Sequence, residues 1–360
     1  MRTVALLLTT ALSLVSLQAA TRRHIAGRGT GLSDSPFGVV VAGDLNPAQV
    51  TAGLRLARTA GLGWTEIQFT WSTLQSSPGT ANFRPFNLLV TAATDNNMRI
   101  IGRLGFSTSW NTTAPATVTN AAQREKYPPT SYELWGQYVF TIVQQYKGSV
   151  HHWEVWYSPD LGGTPPAGQA CTGSWCGSPA QYARLLAVAY KNVKAADPTA
   201  IVLFGGLALS GDQLNQSFMS EVLSDADFPG VDSFDIAAFH VYGSKAEALR
   251  RMNLVKSQLL FGGAGLRQIW VTEFGYPSDS AAQNVAPYFG GEDGQAAYVK
   301  DLAPYLLSIG ARKVFWFKLI DTETASAAGD PFATYGLVTF TGTQKKAMPA
   351  YGEVIKAYRP

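Results

Sequence analysis

Two aromatic, β-branched runs carry the residues that could do chemistry in this chain. Trp270-Val271-Thr272-Glu273-Phe274-Gly275-Tyr276-Pro277 sets one carboxylate, Glu273, at the end of a short run and just before a Gly–Pro turn. A carboxylate so placed can attack an electrophilic carbon or take up a proton. The earlier run, Trp153-Glu154-Val155-Trp156-Tyr157-Ser158-Pro159-Asp160, ends instead on a serine, whose hydroxyl is far too weak an acid to deliver a proton at a useful rate. Two other carboxylates could stand in as the acid: Asp160, two residues beyond Ser158, and Glu66, across the site on an earlier run. Glu66 also has a plainer reading, an internal ion pair with Arg103 on the neighbouring run. Glu154 falls below the rim and reads as structural.

These groups must be positioned by a regular frame. Strand-like runs occur at 37–41, 64–69, 99–104, 150–156, 201–204, 234–239, 268–272 and 313–319. Helix-period segments follow at 47–60, 86–96, 131–146, 179–196, 213–223, 246–260, 294–308 and 350–358. This alternation over about 320 residues is the arithmetic of a single-domain (β/α)₈ TIM barrel of the α/β class, whose usual size is about 250 residues plus insertions. An open doubly wound sheet fits less well, because no Gly-rich phosphate turn follows the first run. In a barrel the active groups sit at the C-terminal strand ends. Those ends carry Gln68, Trp71, Phe106, Trp110, Ser158, Asp160, Leu207, His240, Tyr242, Glu273, Tyr276, Trp316, Lys318 and Asp321. Rings and carboxylates of this kind suit a sugar, whose C–H faces stack and whose hydroxyls need polar partners. His151 and His152 begin the fourth run, away from that rim, and read as structural.

The chain has 360 residues with 15% charged and 12% aromatic, the profile of a globular protein. A net charge of +3, scattered, gives no basis for a nucleic-acid partner. Arg2 followed by an apolar run from Val4 to Leu17 and small residues at Ala19 and Ala20 reads as an export signal over residues 1–20. A polar leader at 21–36 would then precede the barrel at 37–360, in a secreted or periplasmic monomer without a membrane span. Cys171 and Cys176 are expected to form a disulfide pinning a Gly/Pro-rich loop, with no histidine near in sequence to make a metal site. Trp175, inside that loop, is either a lid contact or a plug. Asn111 and Asn215 begin glycosylation sequons.

The residues resemble the retaining glycoside hydrolases of clan A, with most likeness to family 39 catalytic domains, from about Phe37 to Tyr358. The likeness rests on Gly63-Trp64-Thr65-Glu66-Ile67 with Trp71, Arg103-Leu104-Gly105-Phe106-Ser107 with Trp110, Trp153 to Asp160, Phe239-His240-Val241-Tyr242-Gly243, the Glu273 run, Phe315-Trp316-Phe317 with Asp321-Thr322, and Tyr335-Gly336-Leu337-Val338 with Pro349-Ala350-Tyr351. The resemblance implies Glu273 as nucleophile, held by His240 and Tyr242, a β-linked glycan as partner, and no cofactor. It also implies Trp71, Trp110, Tyr157 and Trp316 as substrate-binding residues. The family's Asn-Glu-Pro on the fourth strand is here Tyr157-Ser158-Pro159, so the acid/base position holds Ser158; its second-strand arginine is here Glu66. Retaining hydrolysis uses two carboxyl groups about 5 Å apart, and general acid help is worth about 10²- to 10⁴-fold. Three readings follow: a hydrolase of O-glycosidic bonds with weakened acid/base catalysis, an inactive barrel that binds polysaccharide, or an exported scaffold with Tyr157 filling the cleft.

Overall fold

The computed structural model describes residues 35–43, 46–166, 171–209, 216–279, 287–323 and 330–358. The export signal, nearly all of the leader and the Asn215 sequon lie outside these residues. In chain order the elements are β1 (Phe37–Val41), α1 (Pro47–Ala60), β2 (Trp64–Thr70), α2 (Trp71–Leu74), α3 (Arg84–Asp95), β3 (Arg99–Gly105), α4 (Ala121–Arg124), α5 (Tyr132–Tyr146) and β4 (Val150–Tyr157). There follow α6 (Pro179–Ala196), β5 (Ile201–Gly206), α7 (Phe218–Leu223), β6 (Ile236–Val241), α8 (Lys245–Phe261), β7 (Gln268–Phe274), α9 (Gly291–Ser308), β8 (Val314–Trp316) and α10 (Ala347–Ala357). The strands close in sequence order, β1 pairing with both β2 and β8 in parallel, so the chain is a (β/α)₈ barrel.

Helix starts are written locally. Asn46 and Ser178 each form a capping box with a glutamine three residues on, and Pro47 and Pro179 occupy the first helical turn, where a missing N–H costs nothing. Alternation along the strands then sorts side chains into two layers. Outward residues pack with the helices in one large core, and inward residues make a smaller one from Val40, Trp64, Ile101, Leu203, Trp270 and Phe315. The lower barrel is thus filled by rings, with Trp64 edge-on to Trp270 at 5.4 Å and His152 stacked on Trp270 at 5.4 Å. His152 is structural in that arrangement, its pKa lowered to about 4, chiefly by burial.

Several expected boundaries move. The eighth strand is three residues long rather than seven, because the ladder breaks at Lys318, whose N–H turns to Tyr335 O, before Leu319 N–H bonds again to Val40 of β1. The sixth starts at Ile236, two residues late, since Asp235 is spent on β5, accepting from Val202 N–H. The seventh helix keeps only Phe218–Leu223; residues 213–215 of its expected span lie outside the described residues. Asn111 is buried, accepting from Ser131 N–H at 2.9 Å, so its sequon offers no exposed acceptor.

Cys171 and Cys176 form a disulfide in the β4–α6 loop. Beside it Trp175 is fully buried, edge-on to Trp156 at 4.9 Å, which makes it a loop plug. Layer packing is tight enough to constrain single methyl groups. A Cβ at Gly102 would lie 2.4 Å from the Trp153 ring and 3.2 Å from Phe69. Gly102→Ala is expected to destabilise the barrel by about 1–3 kcal/mol, the usual cost of overpacking, read as a lowered midpoint in urea unfolding; an unchanged midpoint would show that the Trp153 ring yields freely.

Candidate active site

Four buried charged residues meet in the upper barrel. Arg103, inward on β3, sits opposite Gln68 of β2 and Glu154 of β4 in register. Its Nη1 donates to Glu273 Oε1 at 2.9 Å. The same atom lies 2.9 Å from Glu66 Oε1, off the hydrogen-bonding direction, so that contact is Coulombic. The expected Glu66–Arg103 ion pair is therefore present, but Arg103 also reaches Glu273, which the sequence reading missed. The arginine that the resemblance places on the second strand is replaced by one from the third.

Two irregularities aim the functional groups. Strict alternation from Trp270 would send Glu273 outward. A register shift of β7 against β6 between Val271 and Glu273 turns it in beside His240. On β4, Trp156 adopts φ +74° and Ser158 φ +41°, left-handed conformations uncommon for such residues. Trp156 is thereby turned into the outer layer, its indole donating to Ser174 O, while Tyr157 and Ser158 face the site. Ser158 Oγ lies 3.1 Å from His240 Nδ1, and the same nitrogen is 3.6 Å from Glu273 Oε2. Serine and carboxylate share one ring nitrogen, so His240 cannot relay a proton between them as in a nucleophilic triad, which uses both nitrogens. Tyr242 donates to Glu273 Oε2 at 2.8 Å.

Electrostatics follow from burial. Burial pushes Glu66 well above the carboxylate range against the pull of Arg103, and raises Glu154 to about 7. Burial opposes the charge of Arg103, yet Glu66, Glu273 and Glu154 hold it protonated. Burial also lowers His240 to about 4, so its ring is neutral at physiological pH.

The cluster thus contains Glu273, Glu66, Tyr157, Ser158, His240 and Tyr242 from the sequence reading. The other expected site residues lie elsewhere. Trp71 is fully buried, stacked on Tyr138 at 5.4 Å, and Trp110 packs edge-on against Trp71 with its indole bonded to Gln75 O. Trp316 points outward into Phe274, Tyr298 and Tyr351. Fully buried rings offer no face to a sugar, so neither Trp71 nor Trp316 is a platform. Parity along β8 makes Phe317 the inward ring instead, a signal the sequence carried. Asp160 accepts from Ala208 N–H at 2.8 Å and Leu209 N–H at 2.9 Å, spending both oxygens on the loop after β5. Glu66, opposite Val40 and Ile101, lies one layer below Arg103 and has no path to the rim except past it.

The site is also covered. Glu273 is fully buried, His240 and Ser158 nearly so. Tyr157 lies over the Arg103 guanidinium at 4.7 Å and tilts against the His240 ring at 5.5 Å. Among the described residues no group of His, Cys, Asp and Glu is arranged to hold a metal ion, and no helix is long and apolar enough to cross a membrane.

No protein-family model matches the chain, and no curated protein does. Solved structures do. A family 39 glycoside hydrolase from Bacteroides cellulosilyticus superposes with TM-score 0.65 and 17% identity over 91% of this chain, which spans 64% of that one, just under two thirds. A variant of a family 5, subfamily 18 enzyme from Streptomyces cattleya, in complex with Manβ1-4GlcNAc, gives TM-score 0.67 and 16% identity over 90% of this chain and 81% of its own. A monomeric β-xylosidase from Caulobacter crescentus gives TM-score 0.65 and 16% identity over 91% and 69%. At such identities the likeness is one of fold: the chain shares the (β/α)₈ barrel of these glycosidases.

The raised Glu154 gives a pH test. Its folded pKa, about 7, exceeds the ordinary 4.5. Burial therefore favours the protonated form, and stability is lost as pH rises between those values. Glu154→Gln, which keeps an acceptor for Gly206 N–H, is expected to be more stable than wild type at pH 8, by up to about 3 kcal/mol, with the gain vanishing below pH 4.5. Thermal melts of both proteins from pH 4 to 8 would reveal this, and parallel curves would refute it.

Proposed function

We propose that this barrel recognises a β-linked glycan without hydrolysing it at a useful rate, as an exported, inactive relative of the retaining glycosidases. The observation that carries this reading is the closed surround of Glu273, with a serine hydroxyl and not a carboxyl above it at the end of β4. Both its oxygens are engaged, by Arg103 and Tyr242, and the group standing at the acid position is the Ser158 hydroxyl on His240. Of the substitute acids, Asp160 is tied to backbone amides and Glu66 lies beneath Arg103. Glu154 has a carboxyl of suitable strength but stands level with Arg103 on β4, below Ser158, and accepts from Gly206 N–H. A leaving oxygen at the rim would therefore meet the Ser158 hydroxyl, and Tyr157 stands where a sugar would approach. Sugar recognition is supported by the shared fold with enzymes such as the one solved with Manβ1-4GlcNAc.

The test separates the nucleophile from the acid. Aryl β-glycosides with good leaving groups need little acid help, so they report on Glu273 alone. Wild type is expected to release no aryl alcohol above the Glu273→Ala background, from these substrates or from β-glycan oligosaccharides. Tyr157→Ala, which uncovers Arg103, is expected to bring aryl-glycoside turnover above that background, and adding Ser158→Glu to raise cleavage of the unactivated oligosaccharides by about 10²-fold or more, the range usually supplied by general acid/base help. Wild-type cleavage of a natural β-glycan that disappears in Glu273→Ala would overturn the proposal in favour of a working hydrolase.

A further inference from the structure

The C-terminal face carries a groove that Glu273 does not line. One cavity of about 400 Å³ is bounded by Phe317, Lys318, Thr322, Asp330, Phe332 and Phe340. A second, of about 280 Å³, is lined by Gln68 and Thr70 at the end of β2. Ala42 and Gly43, just past β1, belong to both and form a floor of small residues between them. A Cβ at Gly43 would meet nothing within 4 Å, so a ligand can pass close to the backbone there. The larger cavity falls within the range of small-molecule pockets, roughly 300–1,000 Å³.

Its chemistry is selective. Lys318 Nζ donates to Thr322 Oγ1 at 2.6 Å, and that hydroxyl donates to Asp330 Oδ2 at 2.6 Å. Lys318 has three N–H donors, which leaves capacity for a ligand. Asp321 accepts from Lys345 at 2.9 Å on the same wall. A line of donors and acceptors between aromatic faces suits hydroxyl groups, which both give and take hydrogen bonds, on a ring whose C–H face can stack. Asp321 pairs with Lys345 and Asp330 with Lys318, so the wall carries one carboxylate, Glu323, in excess and offers no surplus of positive charge to an anionic ligand.

One layer of rings divides this groove from the buried centre. Tyr242, bonded to Glu273, has its ring 5.3 Å from Phe332 and 6.3 Å from Phe317, and those two rings line the cavity. Resting on the glycan-binding reading above, we propose that a neutral, linear oligosaccharide binds along the β8–β1–β2 groove and not over Glu273.

Calorimetric titration of the intact protein with β-linked trisaccharides of mannose, glucose, xylose and N-acetylglucosamine, and with a trigalacturonate, tests this. The variants are Phe340→Ala, which keeps the backbone oxygen that accepts from Gln49, and Ala42→Arg, which fills the floor; circular dichroism would verify folding. At least one neutral trisaccharide is expected to bind, about tenfold more weakly to Phe340→Ala and not at all to Ala42→Arg. Binding that survives both groove variants but weakens with Glu273→Gln or Tyr157→Ala would overturn the groove and leave glycan recognition standing. Preference for the trigalacturonate would overturn the neutral class. Binding of none of the sugars would overturn both the groove and the glycan-binding reading.

Discussion

One guanidinium organises the upper half of this barrel. Arg103 stands among Glu66, Glu154 and Glu273, all almost fully removed from water. Isolated, each buried charge would cost several kcal/mol, and even a well-made buried pair does little better than break even. The arrangement persists because charge is balanced locally: Arg103 stays protonated, while burial raises Glu66 and Glu154 toward their neutral forms. Tyr157 adds a ring over the guanidinium and Tyr242 a donor to the carboxylate. Removing the cation would leave the carboxylates uncompensated, so the identity of nearly every polar residue in this layer follows from Arg103.

The same constraint bears on chemistry. A nucleophilic carboxylate must be charged and reachable. Arg103 and Tyr242 bond the two oxygens of Glu273, and with Tyr157 they occupy its approaches. The serine beside His240 and the ring that covers Arg103 are linked, being two consecutive residues. Tyr157 and Ser158 follow the left-handed turn at Trp156, and the loop carrying Trp175 and Ser174 holds that turn through ring packing and the indole hydrogen bond. A short hydroxyl at Ser158 fits against His240 beneath the Tyr157 ring. A longer acidic side chain there would compete for the same space.

Much of the frame was legible in the sequence, because period and capping are local. The bounds of β1, α1 and α6 follow from apolar runs and from Asn46, Ser178 and the prolines beside them. The site was legible in part. Glu273, His240, Tyr242 and Ser158 converge, but the register shift that turns Glu273 inward has no signal in the run itself, and aromatic composition misled at Trp71 and Trp316. A tryptophan at a strand end is as good a core residue as a sugar platform, and only the neighbouring layer decides between them. The reach of Arg103 across the barrel to Glu273, 170 positions away in sequence, has no local signature at all.

Fold and chemistry are separable in this molecule for a physical reason. The lower barrel is filled by Trp64, Trp270 and Phe315, and the outer layer by the helices, so stability rests on apolar packing that does not involve the upper polar layer. That layer is free to vary: it sets Ser158 against His240, takes its arginine from β3 and is covered by Tyr157. The rim is equally free to keep an open groove above β8 and β1, because Phe317, Phe332 and Tyr242 form a wall that insulates the groove from the buried charges. A ligand on the far side of that wall gains ring contacts and hydroxyl partners without having to desolvate Arg103 or displace Tyr157. On the proposed reading, recognition there costs less than recognition over Glu273, because the buried charges and the ring that covers them stay in place.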